Sequence, residues 1–176
     1  RPLTADDENE FVQAWRESRQ AWSPWTPATP GSLDGPELFR RELHRVRATA
    51  HAGTHLRLAA FDGEERLLGL FALNEIVRGV FQSAYASWQV RAAEMGQGVG
   101  TDGVRALLDI GFRDAPGGVG LHRIQANVMP GNGASLRIVE KVGFRREGLA
   151  RRYLRIAGRW EDHEMFALTA EEWPPG

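Results

Sequence analysis

Two short stretches hold the residue types that bind and transform a charged ligand. In the first, Gly96, Gln97, Gly98, Val99, Gly100 and Thr101 follow a segment of strand character and open one of helix character. Glycines let a backbone approach an anion closely, successive N–H groups point at it, and a helix start adds positive potential. A phosphate or pyrophosphate cradle is the chemistry implied. The spacing G-x-G-x-x-G of a dinucleotide fold is incomplete and no Gly-Lys-Ser/Thr follows as in a P-loop, while a plain tight turn stands as the alternative. The second stretch, Met129, Pro130, Gly131, Asn132, Gly133, Ala134 and Ser135, again runs from strand to helix. With a right-handed crossover the two turns open at the same end of a sheet and line one crevice.

The elements around these turns follow from periodicity. Thr4 and Asp7 resemble a capping box, and Phe11, Val12 and Trp15 share a face of a helix ending near Gln20. Trp22, Pro24, Trp25, Pro27 and Pro30 predict an irregular aromatic loop. Behind Ser32 as cap, Leu38, Phe39, Leu43 and Val46 predict an amphipathic helix to about Ala50. Alternation then predicts strands over 55–60, 67–76 and 85–90, with Asp62 and Gly63 turning the first hairpin. After the glycine-rich turn come a helix to about Asp114, a strand over 123–129, a helix over 132–142 closed by Gly143, and a hairpin over 145–156 and 160–168. Arg1, Pro2 and Leu3 read as the tail of a strand, so an opening strand is expected to be truncated. The order predicts a single α+β domain over 1–176 with a mixed sheet.

Composition narrows the function classes. The chain has no cysteine, so thiol nucleophiles and thiolate metal sites are excluded, and its five histidines never pair at zinc-ligand spacing. No metal is expected. A net charge of -1 offers no footprint for nucleic acid, and no apolar run reaches the roughly 20 residues of a membrane span. A cytoplasmic protein with no membrane association is expected, and a homodimer is left open.

The two turns together, with Leu136, Arg137, Ile138, Val139, Glu140, Lys141, Val142, Gly143 and Phe144 after the second, resemble the GNAT (GCN5-related) N-acetyltransferases, in particular their RimJ/RimL branch. Arg145, Arg146, Glu147 and Gly148, the Gly158, Arg159, Trp160 turn and the Asp162, His163 pair agree. The resemblance implies a GNAT-like fold, with a twisted mixed sheet of about six to seven strands that splays between the fourth and fifth. It also implies acetyl-CoA as co-substrate and direct attack by a primary amine, without a covalent enzyme intermediate. On it, Val90 and Arg91 would meet the pantetheine arm, residues Gly96, Gln97, Gly98, Val99, Gly100 and Thr101 the pyrophosphate, and Asn132 the cofactor beyond the second strand. The Val90 N–H would hold the oxyanion. Members of the family usually carry Arg or Gln where this chain has Met95, so a side-chain phosphate contact is missing here.

Proton transfer is less determined. Many members protonate the departing thiolate with a Tyr where this chain has Val139; RimL-type members are assigned a serine at the position of Ser135. That hydroxyl could instead cap the helix. Tyr85 stands where a carboxylate base is often found, leaving Glu75 as the nearest acid, a base or simply a solvated charge. Asp162 and His163 point to opposite faces of a strand and read as structural. Trp22 and Trp25, with Tyr85, would wall the acceptor site, or the two tryptophans would only cover the core. A protein or peptide N-terminus is the first-choice acceptor. Polyamines or aminoglycosides compete, as does a catalytically silent CoA-binding regulatory module.

Overall fold

The computed structural model describes residues 1–27 and 34–174. Among them the chain runs through α1 (Glu8–Trp22), α2 (Gly35–Ala52), β1 (Leu56–Phe61), β2 (Leu67–Val77), β3 (Ser83–Val90), α3 (Val99–Phe112), β4 (Arg123–Val128), α4 (Gly133–Val142), β5 (Arg145–Ile156) and β6 (Arg159–Thr169). This is the predicted order. The strands form one six-stranded sheet, β1-β2-β3-β4-β6-β5, in which only the β3–β4 pair is parallel. Arg1 pairs with Ala59 of β1 through both backbone groups, at 2.8 and 3.2 Å, as a strand residue would.

Strand alternation sorts the side chains onto two faces. One carries Phe71, Leu73, Ala86, Ile124, Ala126 and Phe166, sealed by Val104, Leu107 and Leu108 of α3 and Val139 and Val142 of α4. Here α3 lies so close that a Cβ on Gly103 would sit 2.0 Å from the Phe71 ring. The other face is covered by α1 and α2 beside β1 and β2, through Phe11, Val12, Ala14 and Phe39. Past that cover it opens into a cavity of about 1180 Å³. No helix among the described residues is long and apolar enough to cross a membrane.

Two local expectations change, and a third falls outside the described residues. Ser23–Trp25 forms a 3-10 turn rather than irregular loop, because Pro24 sits at its start, where a missing N–H costs nothing. Ser32 lies outside the described residues; the Asp34 carboxylate accepts the Glu37 N–H at 2.9 Å at the start of α2. And β2 bulges between Asn74 and Val77, with Glu75 at a left-handed φ of 52°.

The expected pairing of Thr4 and Asp7 is present ahead of α1. Asp7 is buried and accepts the Thr4 N–H at 2.7 Å, the Thr4 hydroxyl at 3.0 Å and the Arg1 guanidinium at 2.8 and 2.9 Å. The Arg1 hydrogen bonds, ahead of those from Thr4, lower its carboxyl from 3.8 to about 2. A pKa depressed in the folded state adds stability above the unfolded value and loses it as the pH falls through the folded one. Asp7→Ala should therefore cost about 2 kcal/mol at pH 7 in urea unfolding. Between pH 3.8 and about 2 the gap to the parent chain should close as the parent's own carboxyl protonates.

Candidate active site

The parallel pairing of β3 with β4 stops at Ala86 and Ala126, although β3 continues to Val90 and β4 to Val128. The splay expected between the fourth and fifth strands, with an opening strand counted, is thus the gap between β3 and β4. The Arg91 N–H bonds the Leu68 carbonyl at 2.8 Å. By the alternation of an antiparallel ladder, the N–H and C=O of Val90, opposite Gly69, then point away from β2 and into the gap. Trp22 takes the carbonyl, its Nε1 donating at 2.7 Å, and the Val90 N–H is left facing the gap.

The glycine turn has the geometry of an anion cradle. Gly96 and Gly98 adopt φ of 81° and 93°, which glycine reaches without the clash of a Cβ. Val99, Gly100 and Thr101 open α3, so their N–H groups have no intrahelical acceptor, and among the described residues no side chain caps the helix. Gly100 also serves packing: a Cβ there would fall 2.7 Å from Ile138 and 3.2 Å from Val90, so its absence draws α3, α4 and β3 together. The Gln97 amide folds back onto the Ala93 carbonyl at 2.8 Å, and the Met95 side chain is exposed. These features fit a pyrophosphate held by backbone rather than by side chains.

Of the two residues expected at the pantetheine arm, Arg91 has only its backbone to offer. The Arg91 guanidinium turns away from the gap, bonding Glu17 at 2.7 Å and Glu10 at 2.6 Å beneath α1. A buried guanidinium requires such partners, and α1 is the element that supplies carboxylates there. Only the Arg91 backbone remains beside the slot.

At the second turn the cap of α4 is a side chain other than Ser135. Asn132 is the N-cap of α4, its Oδ1 accepting the Ser135 N–H at 3.1 Å. The Ser135 hydroxyl has another partner, Trp88, whose Nε1 lies 3.2 Å from Oγ. An indole N–H can only donate, so Oγ is the acceptor and the serine's own proton is left to be given elsewhere. Asn132, placed with the cofactor by resemblance, spends its oxygen on the helix and keeps its amide N–H groups.

The large cavity lies on the other side of the gap. It is lined by Trp22 and Trp25, and by Tyr85, Ser87, Asn127 and Tyr153, with Trp88 reached through the splay. Glu75 stands on its rim, exposed, at the bulge of β2. Bulges re-aim side chains and left-handed non-glycine residues gather at functional sites. Burial, with the neighbouring Tyr85 and Glu75, pushes the Tyr153 phenol above its usual 10, so it stays neutral. His55, also lining the cavity, is held below 6.5 by burial and then by Arg57. His163 and Asp162 form no dyad: the ring contacts the Glu161 carbonyl at 3.1 Å while Asp162 accepts the Arg152 N–H at 2.7 Å.

The structure thus brings Val90, Ser135 and the cradle to one side of the gap and Trp22, Trp25, Tyr85 and Glu75 to the other. Sequence reading passed over Trp88 and Asn127. Alternation places Trp88 on the core face, and nothing local in Asn127 separates it from a solvated strand residue.

Comparison with known proteins agrees with this geometry. A family model described as the acetyltransferase (GNAT) domain matches residues 1–145. The chain is 31% identical over 169 residues to the probable N-acetyltransferase YjcK of Bacillus subtilis, covering 96% of this chain and 91% of that protein. It is 31% identical over 170 residues to the ribosomal protein uS5 alanine N-acetyltransferase of Escherichia coli, covering 93% and 86%. Among solved structures, Mycobacterium smegmatis RimJ in complex with CoA-disulfide superposes with a TM-score of 0.88 at 30% identity, covering 99% of this chain and 82% of that one.

Proposed function

The chain belongs to the GNAT acetyltransferase family, and from that premise we propose that its acceptor is the α-amino group of a protein N-terminus. It is an acetyl-CoA-dependent N-acetyltransferase. The observation that carries the acceptor reading is the charge of the cavity. Arg19, Arg41, Arg45 and Arg57 line it, against Glu42, which is bonded to Arg57 at 2.9 Å, and Glu75. A polyamine or aminoglycoside carries several cations and needs an acidic pocket. A single amino group needs only hydrogen-bond acceptors and room for the chain behind it. A relative named for the alanine of ribosomal protein uS5 supports the same class of acceptor.

In this reading acetyl-CoA supplies a thioester whose acyl carbon the free amine attacks. The backbone N–H groups at 97–101 hold the pyrophosphate, and the Val90 N–H stabilises the oxyanion in the gap. Ser135 gives its proton to the sulfur as the C–S bond breaks. Glu75, at the cavity rim, takes the proton the amine loses. With acetyl-CoA and a protein chain as substrates, the enzyme works in the cytoplasm, as one domain.

Thiol release from acetyl-CoA separates the acceptors. Peptides with a free α-amino group should be turned over and their N-terminally blocked forms should not. Spermidine and an aminoglycoside should show kcat/KM lower by at least about tenfold. Equal or better turnover of spermidine would overturn the N-terminal reading.

A further inference from the structure

Asn127 is the first residue of β4 beyond its last pair with β3, and it opens onto the cavity with Tyr85, Ser87 and His163. Its Oδ1 is shut off from solvent and has no hydrogen-bond partner among the described residues. Its Nδ2 approaches the Tyr153 hydroxyl at 3.4 Å, the long end of the range. A buried amide oxygen left unpaired costs folding free energy, so most buried polar atoms have partners. Asn127 as a whole is only half-buried and lines the cavity, so a turn of its amide brings this oxygen to the cavity, where an incoming substrate N–H supplies the missing donor.

We propose that Asn127 is an acceptor-binding residue, its amide oxygen receiving an N–H of the attacking amine, with the Tyr85 and Tyr153 hydroxyls completing a seat of neutral oxygens. This rests on the reading of the cavity as the acceptor side. The seat lies across the gap from Trp88 and Ser135, so amine and thioester approach from opposite faces of the sheet. Neutrality suits the chemistry. Only the free amine can attack, and a carboxylate in contact with it would stabilise the ammonium form instead. The ionisable groups that line the cavity with the seat are Glu75 from β2, Tyr85 from β3, Tyr153 from β5 and His163 from β6, with His55 ahead of β1, Arg57 in β1, Arg41, Glu42 and Arg45 from α2 and Arg19 from α1.

Two variants of the full chain test this, assayed with whichever amine the parent enzyme turns over best, peptide or spermidine. Asn127→Val removes an unpaired oxygen from a strand. It should leave the Tm unchanged or higher and the acetyl-CoA KM within about twofold, while the acceptor KM rises roughly five- to tenfold. Asn127→Asp keeps the shape and adds charge that holds the proton on the bound amine, so the acidic limb of kcat against pH should move up by about one pH unit. An unchanged acceptor KM in folded Asn127→Val, together with an unmoved pH profile in Asn127→Asp, overturns the proposal. So does a fall in Tm with both KM values altered alike, which marks a structural residue. If Asn127→Val does not fold, the isosteric Asp variant decides alone. Turnover of spermidine but of no peptide refutes the N-terminal reading and leaves the Asn127 test intact, now read with spermidine.

Discussion

Ser135→Ala should lower kcat by roughly 10- to 1,000-fold while CoA affinity and thermal stability stay near those of the parent enzyme. The stability half of this expectation comes from Asn132, which caps α4 by accepting the Ser135 backbone N–H, a bond that alanine keeps. The Asn132→Ala variant should be the one to lose about 1 kcal/mol of stability. The rate half comes from Trp88. Its indole occupies one lone pair of Oγ and orients the hydroxyl, so the proton is directed to a different partner. Ser135→Asp separates the roles further, since a carboxylate accepts from Trp88 yet is a poor proton donor near neutral pH. It should restore the contact and not the rate. Parent-like kcat in Ser135→Ala, where single-turnover kinetics show that chemistry limits, would end the assignment and pass the proton to water.

Gly98→Val should weaken CoA binding by at least roughly tenfold, about 1.4 kcal/mol, seen as a loss of the Tm rise that CoA produces in the parent. The cause is not crowding inside the protein. A Cβ at Gly98 would find only the Asp102 carboxylate, at 3.8 Å. What valine denies is the backbone conformation, φ of 93°, that turns successive N–H groups toward one point at the start of α3. Gly143→Val is the control, because Gly143 has φ of 95° and open space around it, but closes the far end of α4. That variant should lose stability with CoA affinity intact. Equal loss of CoA affinity in both would show that general strain, and not the cradle, was measured.

Much of this site was legible in the chain itself because its determinants are local. The glycines of 96–100 announce a backbone conformation, the alternation of Tyr85, Ser87 and Gln89 against Ala86, Trp88 and Val90 announces a strand with two faces, and Gly143 announces a helix end. Dihedral preference and periodicity act over a few residues, so element order and the glycine turn could be read without coordinates. The pairing of Thr4 with Asp7 belongs to the same class.

The roles of individual side chains did not belong to it. Arg91 follows the strand that leads to the cradle, yet its guanidinium is drawn to Glu10 and Glu17, more than seventy residues earlier in the chain. Ser135 reads equally as a cap and as an acid in the chain, whereas in the fold Trp88 lies beside its hydroxyl and Asn132 holds the cap. Asn127 stands out only in the fold, where β3 and β4 part next to it and its oxygen is buried without a donor among the described residues. Each of these depends on which distant group packing brings within about 3 Å, because hydrogen bonds and ion pairs act at that range. The chain alone determined the order of elements and a glycine turn at the start of a helix; tertiary packing decided where β3 and β4 part and which side chains stand beside that gap.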